Sequence, residues 1–128
     1  FYLDFFTQVT ELKEKTFNFI ASEKKKGKSI WVYGASTKGN TLLQYFNLDH
    51  TLIDAAAERN PHKIGLKTVG TNIPIKSEEE MRKVHPDYLL ILPWHFIDEF
   101  KKRESEFLKS GGKFIVPLPR FKILSNEA

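Results

Sequence analysis

Apolar residues recur at helical spacing through the first stretch of the chain: Phe5, Val9, Leu12, Phe17 and Ile20 predict one long helix over Tyr2 to Lys26. Gly27 ends it in the position after the helix that a left-handed residue favours. The pattern then changes to short, unbroken apolar runs. Ile30 to Tyr33 reads as a buried strand, followed by a tight turn through Gly34 and a helix opening near Lys38 and reaching Phe46. Thr51 to Ala56 reads as a second strand. The connection after it carries Pro61, Gly65, Gly70 and Pro74, too many breakers for a helix, with Ile73 to Ile75 as a short strand. Ser77 is placed to cap a helix over SEEEMRKV, whose glutamates fall in its first turn. Tyr88 to Leu92 has the continuous apolar character of a central parallel strand and ends in Pro93, Trp94, His95 and Phe96. Ile97 to Ser110 reads as an amphipathic helix with Phe100 and Leu108 inward, closed by Gly111 and Gly112. Lys113 to Val116 and then Phe121 to Leu124 supply the last strands, the second at an edge.

A helix, then β–α–β, a long loop and α–β–α–β predict a small Rossmann-like α/β fold. The expected sheet is doubly wound and mostly parallel, with helices on both faces, preceded by a long N-terminal helix. The 128 residues suffice for one domain with its own core, the leading helix taking 1–27 and the Rossmann-like core 28–128. The chain starts at Phe1, directly in a helical pattern, and is expected to be a piece of a longer one.

Composition narrows the function classes. Without cysteine there is no disulfide, thiolate nucleophile or cysteine-based metal site in these residues. His50, His62, His85 and His95 lack metal-ligand spacing, so no metal is expected. No run of about 18 apolar residues and no secretory segment is present, and a cytoplasmic protein without membrane contact is expected. The net charge of +4 is modest. Lys24, Lys25, Lys26 and Lys28 sit where cations complement a helix terminus, with no interleaved aromatics, so nucleic acid is not an expected partner.

The candidate chemistry lies at predicted strand ends. Gly34, Ser36, Lys38, Gly39, Asn40 and Thr41 surround a helix N-terminus, where unpaired N–H groups and a lysine can receive a phosphate. The spacing matches neither the dinucleotide glycine fingerprint nor the P-loop, so a purely structural turn stays open. Glu58, at the carboxyl edge of the second strand, is the better candidate than Asp54 for a ribose or sugar hydroxyl. His62 and Lys63 follow in the loop. Trp94 offers a stacking face, His95 a hydrogen-bonding ring, and Glu99 either a contact to His95 or a charge at its helix N-terminus. These residues compose a binding surface rather than a catalytic set.

The same stretches, YGASTKGNT (Tyr33 to Thr41), ERNPHKIG (Glu58 to Gly65), VGTNIPI (Val69 to Ile75), WHFIDE (Trp94 to Glu99) and GGKFIVPLP (Gly111 to Pro119), carry a family likeness. In order and in motif they resemble the C-terminal domain of bacterial S-adenosylmethionine-dependent sugar C-methyltransferases. The resemblance implies a substrate-side domain, inactive alone, that helps hold a nucleotide-linked deoxysugar while a preceding domain of the same chain binds the methyl donor. By motif it places Lys38, Gly39, Asn40 and Thr41 in the substrate site, with Asn60, Lys63, Trp94 and Glu99 nearby. Glu58 stands where aspartate is usual, Val69 where proline is usual and His95 where asparagine is commoner, which bears on the sugar rather than the class. A free-standing NAD or coenzyme A module, or a degenerate Rossmann domain serving only as a packing surface, are the competing expectations.

Overall fold

The computed structural model describes residues 2–34, 37–118 and 120–126, and side chains among these outside 2–6 and 37–38. A 24-residue helix α1 (Tyr2–Lys25) leads into β1 (Ile30–Tyr33), α2 (Thr37–Tyr45), β2 (Ala55–Glu58) and β3 (Ile75–Ser77). There follow α3 (Glu78–Val84), β4 (Tyr88–Ile91), a 3₁₀ turn (Trp94–Phe96), α4 (Ile97–Arg103), α5 (Ser105–Lys109), β5 (Lys113–Val116) and β6 (Lys122–Leu124). The strands form one sheet in the order β3-β2-β1-β4-β5-β6, parallel except for β6, which runs antiparallel at the edge beside β5.

This doubly wound order follows from strands that alternate side chains between two covered faces. Ile30, Val32, Ala56, Tyr88, Leu90 and Ile115 point to one face, where Ile20 of α1 and Leu43 and Phe46 at α2 bury them. Trp31, Tyr33, Ala55, Ala57, Leu89, Ile91 and Phe114 point to the other, under Met81, Phe100, Phe107 and Leu108 of α3, α4 and α5. The chain moves one way along the sheet from β1 to β2 and the other way from β3 through β4 to β5. Right-handed crossovers therefore put α2 on one face and α3 to α5 on the opposite one.

Local polar chemistry moves three predicted boundaries. The second strand begins at Ala55, not Thr51, because Asp49 Oδ1 accepts the Thr51 N–H at 2.9 Å and its carbonyl accepts Ile53 N–H at 2.8 Å. That turn occupies residues 50–52, and strand pairing starts as Asp54 N–H donates to the Ile30 carbonyl. Ile73 folds back on Thr68, donating its N–H to Thr68 Oγ1 at 2.9 Å, so β3 starts at Ile75. The helix predicted over Ile97 to Ser110 is divided at Glu104, where φ is −108° and ψ 32°. Ser77 caps α3 as expected, its Oγ accepting the Glu80 N–H at 3.0 Å.

Candidate functional site at the carboxyl ends of the strands

The order of the strands changes direction between β1 and β4, and Tyr33 pairs with Ile91 at the carboxyl ends of these neighbours. In open α/β sheets ligands bind outside this switch point. Gly34 takes the chain out of β1 with φ +90°, a left-handed conformation that disfavours other residues, and its N–H donates to the Ala57 carbonyl at 2.8 Å. The chain enters α2 at Thr37. Ser36 and the Lys38 side chain lie outside the described residues; Gly39 and Thr41 fall within the first turns of α2.

Asn40 faces the long loop. Its Nδ2 donates to the Val69 carbonyl at 2.7 Å, and its Oδ1 accepts from Thr71 Oγ1 at 2.8 Å. Thr71 in turn is hydrogen-bonded to Thr68, and both hydroxyl-bearing residues are buried. Gln44, one turn along α2, donates to the same Val69 carbonyl at 3.0 Å. The Asn of the GASTKGNT stretch and the Thr of VGTNIPI thus fasten the β2–β3 connection to α2, and Gly70 lies so close to Gln44 that a Cβ would sit 2.8 Å from its Nε2.

Glu58 is the last residue of β2, at the carboxyl edge as expected, and its Oε1 accepts the N–H groups of Arg59 at 2.9 Å and Asn60 at 3.1 Å. Asn60 Oδ1 accepts the His62 N–H at 3.0 Å, and the Lys63 N–H donates to the Asn60 carbonyl, giving a tight turn at Pro61. Asp54 is at the opposite end of β2, where its carboxylate takes the Ile30 N–H and pairs with Lys24. Trp94 and His95 stack on each other at the end of β4, ring centroids 3.9 Å apart and planes 22° from parallel, with Trp94 partly buried and His95 exposed. Glu99 pairs with Arg103 at 3.2 Å, one turn along α4, rather than with His95. A cleft of about 370 Å³ beside the carboxyl ends of β2 and β3 is lined by Glu58, Arg59, Ile64, Ser77, Glu78 and Arg82 among others.

Residues 1–119 match the family described as C-methyltransferase C-terminal domain. The chain belongs to that family. It is also 40% identical over 102 residues to the C-methyltransferase NovU of Streptomyces niveus. The match covers 80% of this chain and 24% of NovU, so the chain spans about a quarter of that relative's length.

In this C-methyltransferase C-terminal domain a buried polar network joins Tyr33, at the end of β1, to Arg103 of α4 directly and to Arg82 of α3 through Glu104, a residue absent from the sequence expectations. Glu104 is 1% exposed, and its carboxylate accepts the Tyr33 hydroxyl at 2.7 Å, Arg82 Nε at 3.0 Å and an Arg82 Nη at 2.7 Å. Arg103 donates to the Tyr33 oxygen at 3.1 Å, and Arg82 also donates to Glu78 at 3.0 Å. Burial, and then the bond to Glu104, push the Tyr33 phenol above its ordinary range. The signal was available: Glu104 lies four residues after Phe100 and four before Leu108, on the stripe that faces inward. Among the described residues no group of histidine, aspartate and glutamate is arranged to hold a metal ion.

Proposed function

We propose that this domain holds the nucleotide-linked deoxysugar of an S-adenosylmethionine-dependent C-methyltransferase, while a preceding domain of the same chain carries the methyl donor. The observation that supports this most is the gathering of three matched motifs outside the carboxyl ends of β1, β2 and β4, around the switch point. In this reading the opening turn of α2 and Lys38, with Gly34, Ser36, Gly39 and Thr41, receive the diphosphate. Trp94 and His95 present a stacked aromatic surface to a base or sugar ring. Glu58, Asn60, Lys63 and Glu99 supply polar groups for sugar hydroxyls, and Asn40 contributes by holding the Val69–Thr71 loop in place.

In this reading the methyl donor is held mainly by the preceding domain. The β1–α2 turn lacks the dinucleotide glycine fingerprint, and the N–H groups of Arg59 and Asn60 hold the Glu58 carboxylate at the carboxyl edge of β2. Proton abstraction, in this reading, falls chiefly to the preceding domain. None of the described helices is long and apolar enough to cross a membrane. The reading places the protein in the cytoplasm with a small-molecule substrate and no nucleic-acid partner.

Steady-state kinetics of the full-length protein test this. Lys38→Ala is expected to raise the KM for a thymidine-diphosphate sugar at least tenfold, equivalent to about 1.4 kcal/mol, with the KM for S-adenosylmethionine unchanged. An unchanged sugar KM would count against it. Protection of the domain by NAD or coenzyme A, and not by a nucleotide sugar, would favour the free-standing module.

A further inference from the structure

We infer that Tyr33 and Glu104 are positioning residues that brace the two walls of the nucleotide-sugar site against each other. This rests on the substrate-binding reading above. Tyr33 is the last residue of β1 and immediately precedes the turn at Gly34; the second wall is the 3₁₀ turn at Trp94 and the first turn of α4. Beneath both, the Tyr33 ring meets Phe100 edge-on at 4.9 Å, and its hydroxyl binds Glu104 at 2.7 Å and Arg103 at 3.1 Å. Arg103 lies over the Phe100 ring, 5.3 Å from its centroid, and reaches forward to Glu99 at 3.2 Å. One continuous set of contacts therefore runs from the end of β1 to the first turn of α4.

Packing alone does not call for these polar groups. Phe100, Phe107 and Leu108 already hold the helices on the sheet, and a buried carboxylate carries a desolvation cost that apolar residues avoid. What hydrogen bonds add is direction: they fix where the Tyr33 ring sits relative to α4, and so where Gly34 starts its turn. Tyr88 gives an internal control. At the other end of the sheet it makes the equivalent buried bond, hydroxyl to Glu23 at 2.5 Å, beside the amino end of β4 and away from the strand ends that carry the motifs.

The experiment is initial-rate kinetics of the full-length protein against a nucleotide sugar at saturating methyl donor, with thermal unfolding alongside. Tyr33→Phe keeps the ring and its contact with Phe100. It is expected to raise the sugar KM about threefold to tenfold and leave the donor KM unchanged, the size expected for one lost bond expressed in binding. Tyr88→Phe is expected to lower the Tm comparably with no change in sugar KM. Glu104→Gln, which retains an acceptor for the Tyr33 hydroxyl, is expected to raise the sugar KM less than Glu104→Ala. Equal KM effects from Tyr33→Phe and Tyr88→Phe would overturn the inference. So would no effect from Tyr33→Phe while Lys38→Ala and Trp94→Ala raise the sugar KM, an outcome that leaves the substrate-binding reading standing. If Lys38→Ala and Trp94→Ala are also without effect, that reading fails and the inference falls with it.

Discussion

Replacing Arg82 by methionine isolates the energetic weight of the buried network. The variant keeps an unbranched apolar stem where the arginine's own stem packs, and removes two of the three hydrogen bonds described at the Glu104 carboxylate, those at 3.0 and 2.7 Å. The Tyr33 hydroxyl at 2.7 Å remains, and Glu78 retains Arg103 at 3.6 Å. With the Glu104 side chain 1% exposed, water cannot replace the lost guanidinium without opening the fold. Removing one partner of a buried pair costs about 3–5 kcal/mol. The Arg82 side chain is 41% exposed, so its attraction is partly screened, and the expected loss is about 2–3 kcal/mol. At about 3–5 °C per kcal/mol for a domain of this size, the Tm falls by about 10 °C. Urea unfolding followed by circular dichroism gives the free energy directly, because a shift in midpoint at constant slope reports stability. The double variant Arg82→Met with Glu104→Gln removes the stranded charge and is expected to regain at least half of the loss. Arg82→Met within about 0.5 kcal/mol of the parent, or a double variant at the sum of the two singles, would refute the reasoning.

Other positions give sharper or cheaper readouts. Gly112→Ala would set a Cβ 2.3 to 2.6 Å from the Phe107 ring, which is held between Phe114 and His85, so overpacking is expected to cost about 1–3 kcal/mol in the same urea assay. Asn40→Ala removes two of the three hydrogen bonds described between α2 and the Val69–Thr71 loop, leaving that of Gln44, and is expected to lose about 1–2 kcal/mol and to speed amide exchange at Asn72 and Ile73. The Tyr88–Glu23 pair predicts pH limits of opposite sign. The Tyr88 hydroxyl, then Lys26, hold the Glu23 carboxyl below its usual value of 4.5, so its contribution is complete above that value and is lost as the pH falls through the lower folded one. Burial, then Glu23, push the Tyr88 phenol up to about 12, so its contribution is complete below about pH 10 and is lost as the pH rises through about 12. The Tm of the parent is expected to decline more steeply than that of Tyr88→Phe in both windows, and parallel curves would contradict this.

The elements that the sequence made legible are those whose signal is local and one-signed. Ile30 to Tyr33 is an unbroken apolar run, and Lys113 to Val116 is an apolar run opened by one exposed lysine; their bounds are those of β1 and β5. Ser77 followed by three glutamates is a cap with its complementary charges, and α3 begins there. Boundaries failed where a side chain competes with the backbone ladder. Asp49 and Thr68 each capture N–H groups that a strand would otherwise use, and neither can be told from an ordinary loop residue by composition. At the strand ends, Asn40 looked like a polar residue turned to a ligand, and the contact that occupies it comes from Val69 and Thr71, about thirty residues away. Glu104 was hidden by company: Lys101, Lys102, Arg103 and Glu106 surround it, and only its register with Phe100 and Leu108 sets it apart. The neighbouring of β1 and β4, which brings the Gly34 and Trp94 turns side by side, is the placement that the doubly wound pattern and the central-strand character of Tyr88 to Leu92 predict.

Hydrogen–deuterium exchange of the full-length protein, with and without a thymidine-diphosphate sugar, tests the substrate-binding reading most directly because it locates the ligand without relying on a substitution. Slowed exchange at the turn after β1 and the start of α2, at Arg59 to Ile64, and at Trp94 to Phe96 is the predicted result, with the amino ends of the strands unchanged. Sugar-dependent protection confined to the preceding part of the chain, with these three stretches unaltered, would contradict it.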